Sequence, residues 1–250
     1  MPAIKVATDS ISQVNKAGRR LRALWNAEVE LPDEEVFHWL DVIADYRASH
    51  RKPLTSANMG LRSVVKSQGC QAQISQRLKQ MQTIVGKLAR HPTMALTTMQ
   101  DIGGCRAIVQ SVKELRRVEA KLVRNTVART GSPPRVDDYI KDPRQSGYRG
   151  VHVMVRYGDP PRSIEIQLRT PTMHEWAFTV ERLGWKIGQD LKSGYGAPEV
   201  LALMEAVSEA MEFEERGETV DTTLVSRIDA LRKDALPFLV ARPSDGSSGP

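Results

Sequence analysis

The chain has 250 residues, of which 40% are hydrophobic and 26% are charged, a composition typical of globular proteins. It has no apolar stretch long enough to span a membrane and no apolar signal-peptide core at its N-terminus, so we expect a cytoplasmic protein without a membrane partner. The formal net charge is +6, but residues 197–236 carry ten acidic and four basic residues, so the basic excess lies in the body of the chain and predicts a polyanionic ligand there.

Hydrophobic periodicity predicts an α/β protein of the α+β type, a small mixed β-sheet wrapped in helices. Helical spacing of apolar residues predicts helices over 9–30, from Pro32 to Pro53, over 56–90 with a break near Gly69, and over 112–129, 172–186, 198–216 and 221–235. Strands are predicted over 106–110, 151–157 and 164–169, and the last two form a β-hairpin. The turn-rich tail at 241–250 is expected to be disordered.

The second strand of the hairpin carries a row of polar side chains. Because successive side chains of a strand point to opposite faces, Glu165, Gln167 and Arg169 share one face and three aliphatic residues share the other. A carboxylate, an amide and a guanidinium in a row suit a metal, a ribose and a phosphate. A solvated outer face gives the same pattern and is the commoner case.

An aspartate precedes a glycine pair that leads into the strand at 106–110. Asp101 stands just before Gly103 and Gly104, and glycine allows the backbone to approach a ligand closely. A carboxylate in that position is a natural Mg²⁺ ligand, and it can share the ion with Glu165 if the two strands are neighbours. The alternative is a turn aspartate that caps its own loop.

A basic stretch lies in the predicted helix at 56–90. On a helix Lys79, Thr83 and Lys87 form one stripe, with Arg77 close by, and two cations with a hydroxyl match a polyphosphate. A solvated basic face is the alternative.

Basic and aromatic residues alternate in the loop before the hairpin. Lys141 and Arg144 can hold phosphates, and the ring of Tyr148 can stack on a base. The alternatives are a Tyr148 packed into the core and a structural His152.

These stretches resemble, in order and spacing, the synthetase domain of the RelA/SpoT family. The family shows R-x-K-x₃-[S/T]-I-x₂-K, D-[I/L]-x-G-x-R, D-Y-I-x₂-P-K-x₂-G-Y-R-S-x-H and E-I-Q-[I/L]-R-T, which stand here at 77–87, 101–106, 138–152 and 165–170. The resemblance covers about residues 60–186. It implies a nucleotidyltransferase-like mixed sheet and an enzyme that moves the β,γ-pyrophosphate of ATP to a ribose 3′-hydroxyl.

The resemblance also implies roles for residues on the ATP side. Arg77 and Arg106 are implied to sandwich the adenine of ATP. Asp101 is implied to bind Mg²⁺, and Glu165 is the second acid, which either holds Mg²⁺ or helps to deprotonate the attacking hydroxyl. The triphosphate is implied to be held by the three side chains of the basic stripe, Lys79, Thr83 and Lys87.

On the acceptor side, Tyr148 is implied to stack on the acceptor base, and Lys141 and Arg144 to contact its phosphates. The remaining implied acceptor-site residues are Arg169 and, around the ribose, His152, His174 and the catalytic Gln167. Two departures fall on this side: Arg144 stands where the family has lysine, and Gly150 where it has serine. No His-Asp dipeptide of the hydrolase type occurs, so we expect a small synthetase-only member.

The acceptor is left open between GDP or GTP, giving (p)ppGpp, and the 3′-terminal adenosine of tRNA, as in toxin-type members that are paired with an antitoxin. The basic residues Lys16, Arg19, Arg20 and Arg22 could hold an RNA, although a solvated helix face is the more common meaning of such a cluster. A third reading is an inactive RNA- or nucleotide-binding module on the same fold. We expect a homo-oligomer and no DNA partner.

Four segments are predicted from these features. An N-terminal helical segment covers 1–55, the synthetase domain 56–190, the C-terminal helices 191–240 and the tail 241–250. The acidic C-terminal helices are expected to mediate assembly or to pack back on the basic body.

Overall fold

A computed structural model describes residues 10–240 of the chain. Its helices are α1 (Ile11–Trp25), α2 (Asp33–Ala48), α3 (Arg51–Ser67), α4 (Met81–Arg90), α5 (Val112–Thr130), α6 (Pro171–Ile187), α7 (Pro198–Glu215) and α8 (Thr222–Val240). Its strands are β1 (Ala72–Leu78), β2 (Gly103–Val109), β3 (Arg135–Asp138), β4 (Val151–Tyr157) and β5 (Arg162–Arg169). The tail predicted at 241–250 lies outside the described residues.

The five strands form one mixed sheet in the order β1-β2-β5-β4-β3. Strands β2 and β5 are parallel, and the other neighbouring pairs are antiparallel. The predicted mixed sheet and the predicted hairpin of β4 and β5 are therefore confirmed. The parallel pair at the centre matters for the site, because it brings the residues after Asp101 beside those around Glu165.

The predicted helix at 56–90 is wrong in its middle. The chain leaves α3 after Ser67, forms the edge strand β1 and begins α4 only at Met81. Strand β1 pairs with β2 along its whole length, so its conformation is set by a partner far away in sequence. The second predicted helix also ends earlier than expected, at Ala48, and Pro53 lies in the first turn of α3, where proline is tolerated.

The two faces of the sheet differ in polarity because the side chains alternate. One face is aliphatic and packs against α3 and α5, with Val153, Ile164 and Ile166 at most 1% exposed. At about 25 cal/mol per Å², burying such side chains supplies much of the stability of the domain. The opposite face is polar and is not covered by that core.

Two further clusters of helices flank the polar face. Helices α1, α2 and α4 pack together beside β1 around Ile43, Ile84 and Leu88. Helices α6, α7 and α8 form the other cluster, which includes Tyr148 and Trp176. Within residues 10–240 none of the helices combines the length and the hydrophobicity needed to cross a membrane. The segment boundaries at 55/56 and 190/191 stay a prediction.

Helix α6 begins immediately after β5, where the sequence supplies an N-cap residue and a proline in the first turn. The side-chain oxygen of Thr170 accepts a hydrogen bond from the backbone N–H of Met173, and Pro171 occupies the first turn. Gly188, with φ of +70°, ends the helix in the left-handed conformation. The chain then returns along the rim of the polar face through the short 3₁₀ turn Leu191–Ser193.

Candidate active site

The strand register places the polar residues of the motifs on one face of the sheet. Glu165 lies opposite Gly104, and Gln167 lies between Arg106 on one neighbouring strand and His152 on the other. This face forms the floor of a cleft of about 1330 Å³, whose walls come from α4 and α6. The volume suits two nucleotides better than one small metabolite.

Most of the fourteen predicted site residues line this cleft. The eleven that do are Arg77, Lys79, Thr83, Lys87, Asp101, Arg106, Arg144, Tyr148, His152, Glu165 and Gln167. The other three are not part of its wall. Arg169 lies behind Gln167, and the Nδ1 atom of His174 is 3.3 Å from Nη1 of Arg106. Lys141 is exposed on the turn that follows β3.

Asp101 lies between two lysines. Its Oδ2 atom is 2.9 Å from Nζ of Lys79, and its Oδ1 atom is 2.9 Å from Nζ of Lys87. Burial acts to raise the pKa of Asp101, but the charges and hydrogen bonds of the two lysines outweigh it, so the pKa is lowered and the group is a carboxylate at neutral pH. The predicted helical stripe is wrong in part, because Lys79 follows β1 and only Thr83 and Lys87 lie on α4.

Five side chains, including that of Glu165, form a closed ring of hydrogen bonds. Glu165 accepts from Nδ1 of His152 at 3.0 Å and from Nε2 of Gln167 at 2.5 Å. The Oε1 atom of Gln167 accepts from Nη2 of Arg169 at 2.8 Å. The hydroxyl of Tyr148 completes the ring, 2.6 Å from Nε2 of His152 and 3.2 Å from Nε of Arg169. Such a network fixes the orientation of each member.

The ring sets the ionisation of Glu165. Burial acts to raise its pKa, but the hydrogen bonds and charge of His152 and the bond from Gln167 lower the pKa to about 2. Glu165 is therefore a carboxylate over the whole physiological pH range. A base with so low a pKa takes up a proton poorly at neutral pH.

Two arginines lie side by side at the β1 end of the cleft. Arg106 is opposite Ser75 in the antiparallel register and Arg77 is two residues further on, so both side chains are on the polar face as diagonal neighbours. Burial lowers the pKa of Arg106, and the charges of Arg169 and Arg77 lower it further. The buried Nε atom of Arg106 has no hydrogen-bond partner among residues 10–240. Both properties favour a bound ligand at this position.

The end of the cleft that contains Tyr148 is closed in this structure. Tyr148 is only 1% exposed, and its ring lies 5.5 Å from the guanidinium carbon of Arg144 and 5.2 Å from Nζ of Lys192. Arg144 also donates a hydrogen bond to the hydroxyl of Tyr139 at 2.8 Å. Stacking of a base on Tyr148 stays a prediction, and it requires the cationic side chains over the ring to move.

Sequence reasoning missed the wall of the cleft opposite α4. Glu181 of α6 and Lys192 of the following turn form an ion pair of 2.5 Å there, and Arg90 of α4 reaches Asp190 at 3.0 Å across the cleft. The motifs carry no signal for these pairs, because each joins residues whose proximity depends on how the chain returns after α6. The apolar stripe of α6, which faces inward at Trp176 and Val180, is the sequence feature that could have pointed to Glu181.

Helix α7 anchors the loop that carries Tyr148. Arg149, 6% exposed, lies 3.3 Å from Glu215 and 3.6 Å from Glu212, and the hydroxyl of Ser208 donates to the carbonyl of Gly147 at 2.6 Å. The expectation that the acidic C-terminal helices pack back on the basic body is therefore confirmed for α7. The expected homo-oligomer stays a prediction.

Three of the four basic residues of the α1 cluster contact other parts of the chain, and the fourth, Arg19, is exposed. Arg20 pairs with Glu35 at 2.7 Å, Arg22 donates to the carbonyl of Pro92, and Nζ of Lys16 lies over the ring of Trp39. These contacts tie α1 to its neighbours, which weakens the reading of the cluster as an RNA-binding face.

Asp101 and Glu165 fit Mg²⁺, which takes one or two carboxylates and completes its shell with phosphate oxygens and water. Both are ionised and both line the cleft, so the donor set fits the ion that the resemblance implies. No group of three or more potential metal ligands occurs within the described part of the chain, so a tightly caged, all-protein metal site is not found there.

Comparison with known proteins adds an independent result. Residues 76–188 match the family described as the region found in RelA/SpoT proteins. An uncharacterized protein of Mycobacterium tuberculosis is 32% identical over 120 residues, covering 48% of this chain and 42% of the relative. A GTP pyrophosphokinase of Bacillus subtilis is 31% identical over 121 residues, covering 45% of this chain and 56% of the relative. The chain thus spans only about half the length of these curated relatives.

Solved structures agree in fold. The small alarmone synthetase 1 of Bacillus subtilis, in a crystal structure with its product pppGpp, superposes with a TM-score of 0.57 at 23% identity, covering 72% of this chain and 93% of that one. A GTP pyrophosphokinase family protein of Streptococcus pneumoniae gives a TM-score of 0.57 at 22% identity, covering 80% and 98%. Residues 76–188 therefore match the RelA/SpoT region, and the chain has the fold of the small alarmone synthetases.

Proposed function

We propose that this protein is an ATP-dependent pyrophosphokinase whose acceptor is GDP or GTP and whose product is (p)ppGpp. The observation that carries the proposal is the cleft itself, which is lined by two ionised carboxylates together with a set of lysines and arginines. Phosphoryl transfer needs positioning and charge neutralisation more than covalent chemistry, and this cleft offers both.

In the proposed reaction the acceptor 3′-oxygen forms a bond to the β-phosphorus of ATP. The bond between that phosphorus and the oxygen bridging to the α-phosphorus breaks, and AMP leaves with the bridging oxygen. The hydroxyl proton passes to a base or to water. Lys79 and Lys87 would stabilise the negative charge that develops on the phosphoryl oxygens, and Thr83 lies on the same wall.

Asp101 and Glu165 would hold Mg²⁺ together with the phosphates of ATP. The ion supplies Lewis-acid polarisation of phosphoryl oxygens and charge neutralisation. Lys79 and Lys87, which pair with Asp101, would bind the triphosphate if Asp101 held the ion instead. The pKa of about 2 for Glu165 favours the metal-ligand role over the general-base role that the family resemblance left open.

Arg77 and Arg106, which are diagonal neighbours on β1 and β2, would receive the adenine, since guanidinium planes stack on flat rings. The acceptor would bind at the other end of the cleft, where Arg144 and Arg169 surround Tyr148. The Bacillus subtilis relative is a GTP pyrophosphokinase, which favours a guanosine nucleotide as acceptor. The contacts of Lys16, Arg20 and Arg22 within the chain weaken the case for tRNA. The presence of both carboxylates, of Lys79 and Lys87 and of Thr83 argues against an inactive module.

The test uses the purified chain with γ-labelled ATP and Mg²⁺, offered GDP, GTP, ATP and deacylated tRNA in separate reactions. We expect label in GDP and GTP, and loss of transfer by at least about 100-fold in Asp101→Ala and Glu165→Ala. Asp229→Ala, an exposed aspartate on α8, is the matched control and should transfer at the wild-type rate.

Label in tRNA alone would overturn the proposed acceptor. Label in no acceptor, with a folded protein, would favour the binding module. Full activity in either acid variant would show that the metal site is misplaced.

A further inference from the structure

Lys192 is a cleft cation that no family motif contains. It lies in the 3₁₀ turn after α6, beyond the region matched at 76–188. Its Nζ atom is 2.5 Å from Oε1 of Glu181 and 5.2 Å from the ring centroid of Tyr148, and its carbonyl accepts a hydrogen bond from the hydroxyl of Ser146 at 3.0 Å. The backbone of Lys192 is thus fixed to the acceptor loop, while its long side chain reaches over the predicted base platform.

The surroundings of Lys192 carry more positive than negative charge. The charged groups of Arg144, Arg169 and Lys192 all lie within 5.5 Å of the ring centroid of Tyr148. Arg106 is close enough for its charge to lower the pKa of Lys192. Among the described residues, Glu181 is the carboxylate in direct contact with Lys192. Burial and then the charge of Arg169 lower the pKa of Lys192 to about 8, so one carboxylate does not fully compensate the cluster.

We propose that Lys192 is an acceptor-binding residue that exchanges the carboxylate of Glu181 for a phosphate group of a nucleoside 5′-diphosphate or 5′-triphosphate. The inference rests on the proposed function. It assigns to Lys192 the selection of phosphorylated acceptors over uncharged ones. The same movement takes the ammonium group away from the ring of Tyr148 and opens one face of that ring to the base. Glu181 acts as an internal counter-ion that holds Lys192 in the cleft until the acceptor arrives.

A purely structural role for the pair predicts something different. If the bond between Lys192 and Glu181 only holds the turn at 191–193 in place, removing either partner weakens the binding of every ligand at this end of the cleft. If Lys192 binds phosphate, its removal weakens only phosphorylated ligands. Removal of Glu181 then strengthens their binding, because the competing anion is gone.

Isothermal titration separates the phosphate-binding role from the structural role. The full chain is saturated with Mg²⁺ and α,β-methylene-ATP, which block the donor site. Guanosine, GMP, GDP and GTP are titrated in turn. For Lys192→Ala we expect about 10- to 100-fold weaker binding of GDP and GTP, the size of one charge-assisted hydrogen bond. Binding of guanosine should be unchanged or tighter, because the ammonium group no longer covers the ring of Tyr148. Lys192→Arg should keep most of the affinity, and Glu181→Gln should bind GDP more tightly, by about threefold or more.

Lys113→Ala, an exposed lysine on α5, is the control and should match the wild type. Equal losses for guanosine and GDP in Lys192→Ala, no loss at all, or weaker GDP binding in Glu181→Gln would each overturn the inference. The proposed function fails separately, if the wild-type protein binds GDP in this titration but transfers no pyrophosphate to it.

Discussion

Asp101→Asn should have opposite effects on ATP binding and on turnover. Asp101 is ionised, and each of its oxygens lies 2.9 Å from a lysine ammonium group. In the proposed function, the triphosphate of ATP binds the same two lysines. In the absence of Mg²⁺ the aspartate therefore competes with ATP, and replacing it by the isosteric neutral amide removes the competitor.

The size of the effect follows from the exposure of the pairs. The side chains of Lys79, Lys87 and Asp101 are 15%, 26% and 20% exposed, so the pairs are neither fully buried nor free in solvent. Pairs of this kind contribute on the order of 1 kcal/mol each after desolvation. Freeing two lysines should therefore tighten Mg²⁺-free binding of ATP by roughly 5- to 30-fold. Turnover with Mg²⁺ should fall by at least about 100-fold, because a ligand of the ion is lost.

Isothermal titration with α,β-methylene-ATP in the presence of EDTA measures the first effect, and label transfer with Mg²⁺ measures the second. Asp229→Asn on α8 is the control, with an exposed aspartate outside the cleft. Unchanged or weaker Mg²⁺-free binding in Asp101→Asn would refute the reasoning, since it would mean that the lysines held by Asp101 are not the ones that grip the triphosphate.

Three further predictions concern the hydrogen-bonded ring and the loop of Tyr148. Glu165→Gln should lower the free energy of unfolding by about 3 kcal/mol at neutral pH, because the pKa of Glu165 in the folded protein, about 2, is below the ordinary value of 4.5. The difference from the wild type should be full above pH 4.5 and should shrink as the pH falls toward 2. Urea unfolding at several pH values measures it. A constant difference across that range would contradict the assigned ionisation. Arg149→Ala should cost about 3 kcal/mol in the same assay by leaving Glu215 buried without its partner, and a loss under 1 kcal/mol would contradict the anchoring role. Gly147→Ala should cost about 2 kcal/mol or more of stability, because φ is +83° and the new Cβ would lie 2.8 Å from the Cα of Glu205. The control Gly131→Ala, with φ of +73° and open space around it, should cost about 1 kcal/mol. Equal losses of stability would contradict the close packing of α7 against Gly147.

The parts of the fold that sequence predicted are those with a strong local period. Strands β4 and β5 alternate over seven and eight residues around a turn, so the hairpin follows from the sequence. Strand β1 reads Ala-Gln-Ile-Ser-Gln-Arg-Leu, a short edge segment with few apolar residues, and its pairing with β2 is non-local. The four-residue strand β3 is too short to show a period.

The cleft residues also divide into those that the sequence predicted and those that it did not. The motifs specified the strand residues that line the cleft, because the sheet register brings Arg106, His152, Glu165 and Gln167 onto one face. They did not specify the burial of Tyr148 or the contact between Glu181 and Lys192. Both depend on the packing of α6 and α7, which rests on contacts between residues far apart in sequence. The motifs therefore specified the strand residues on the floor of the cleft more fully than the surroundings of Tyr148.

The identity of the leaving group tests the central claim most directly. With ATP, Mg²⁺ and GDP, chromatography of the nucleotides should show AMP and a guanosine nucleotide with two added phosphates, formed in equal amounts. Formation of ADP in place of AMP, or of free pyrophosphate with unmodified GDP, would contradict transfer of an intact pyrophosphate group by this cleft.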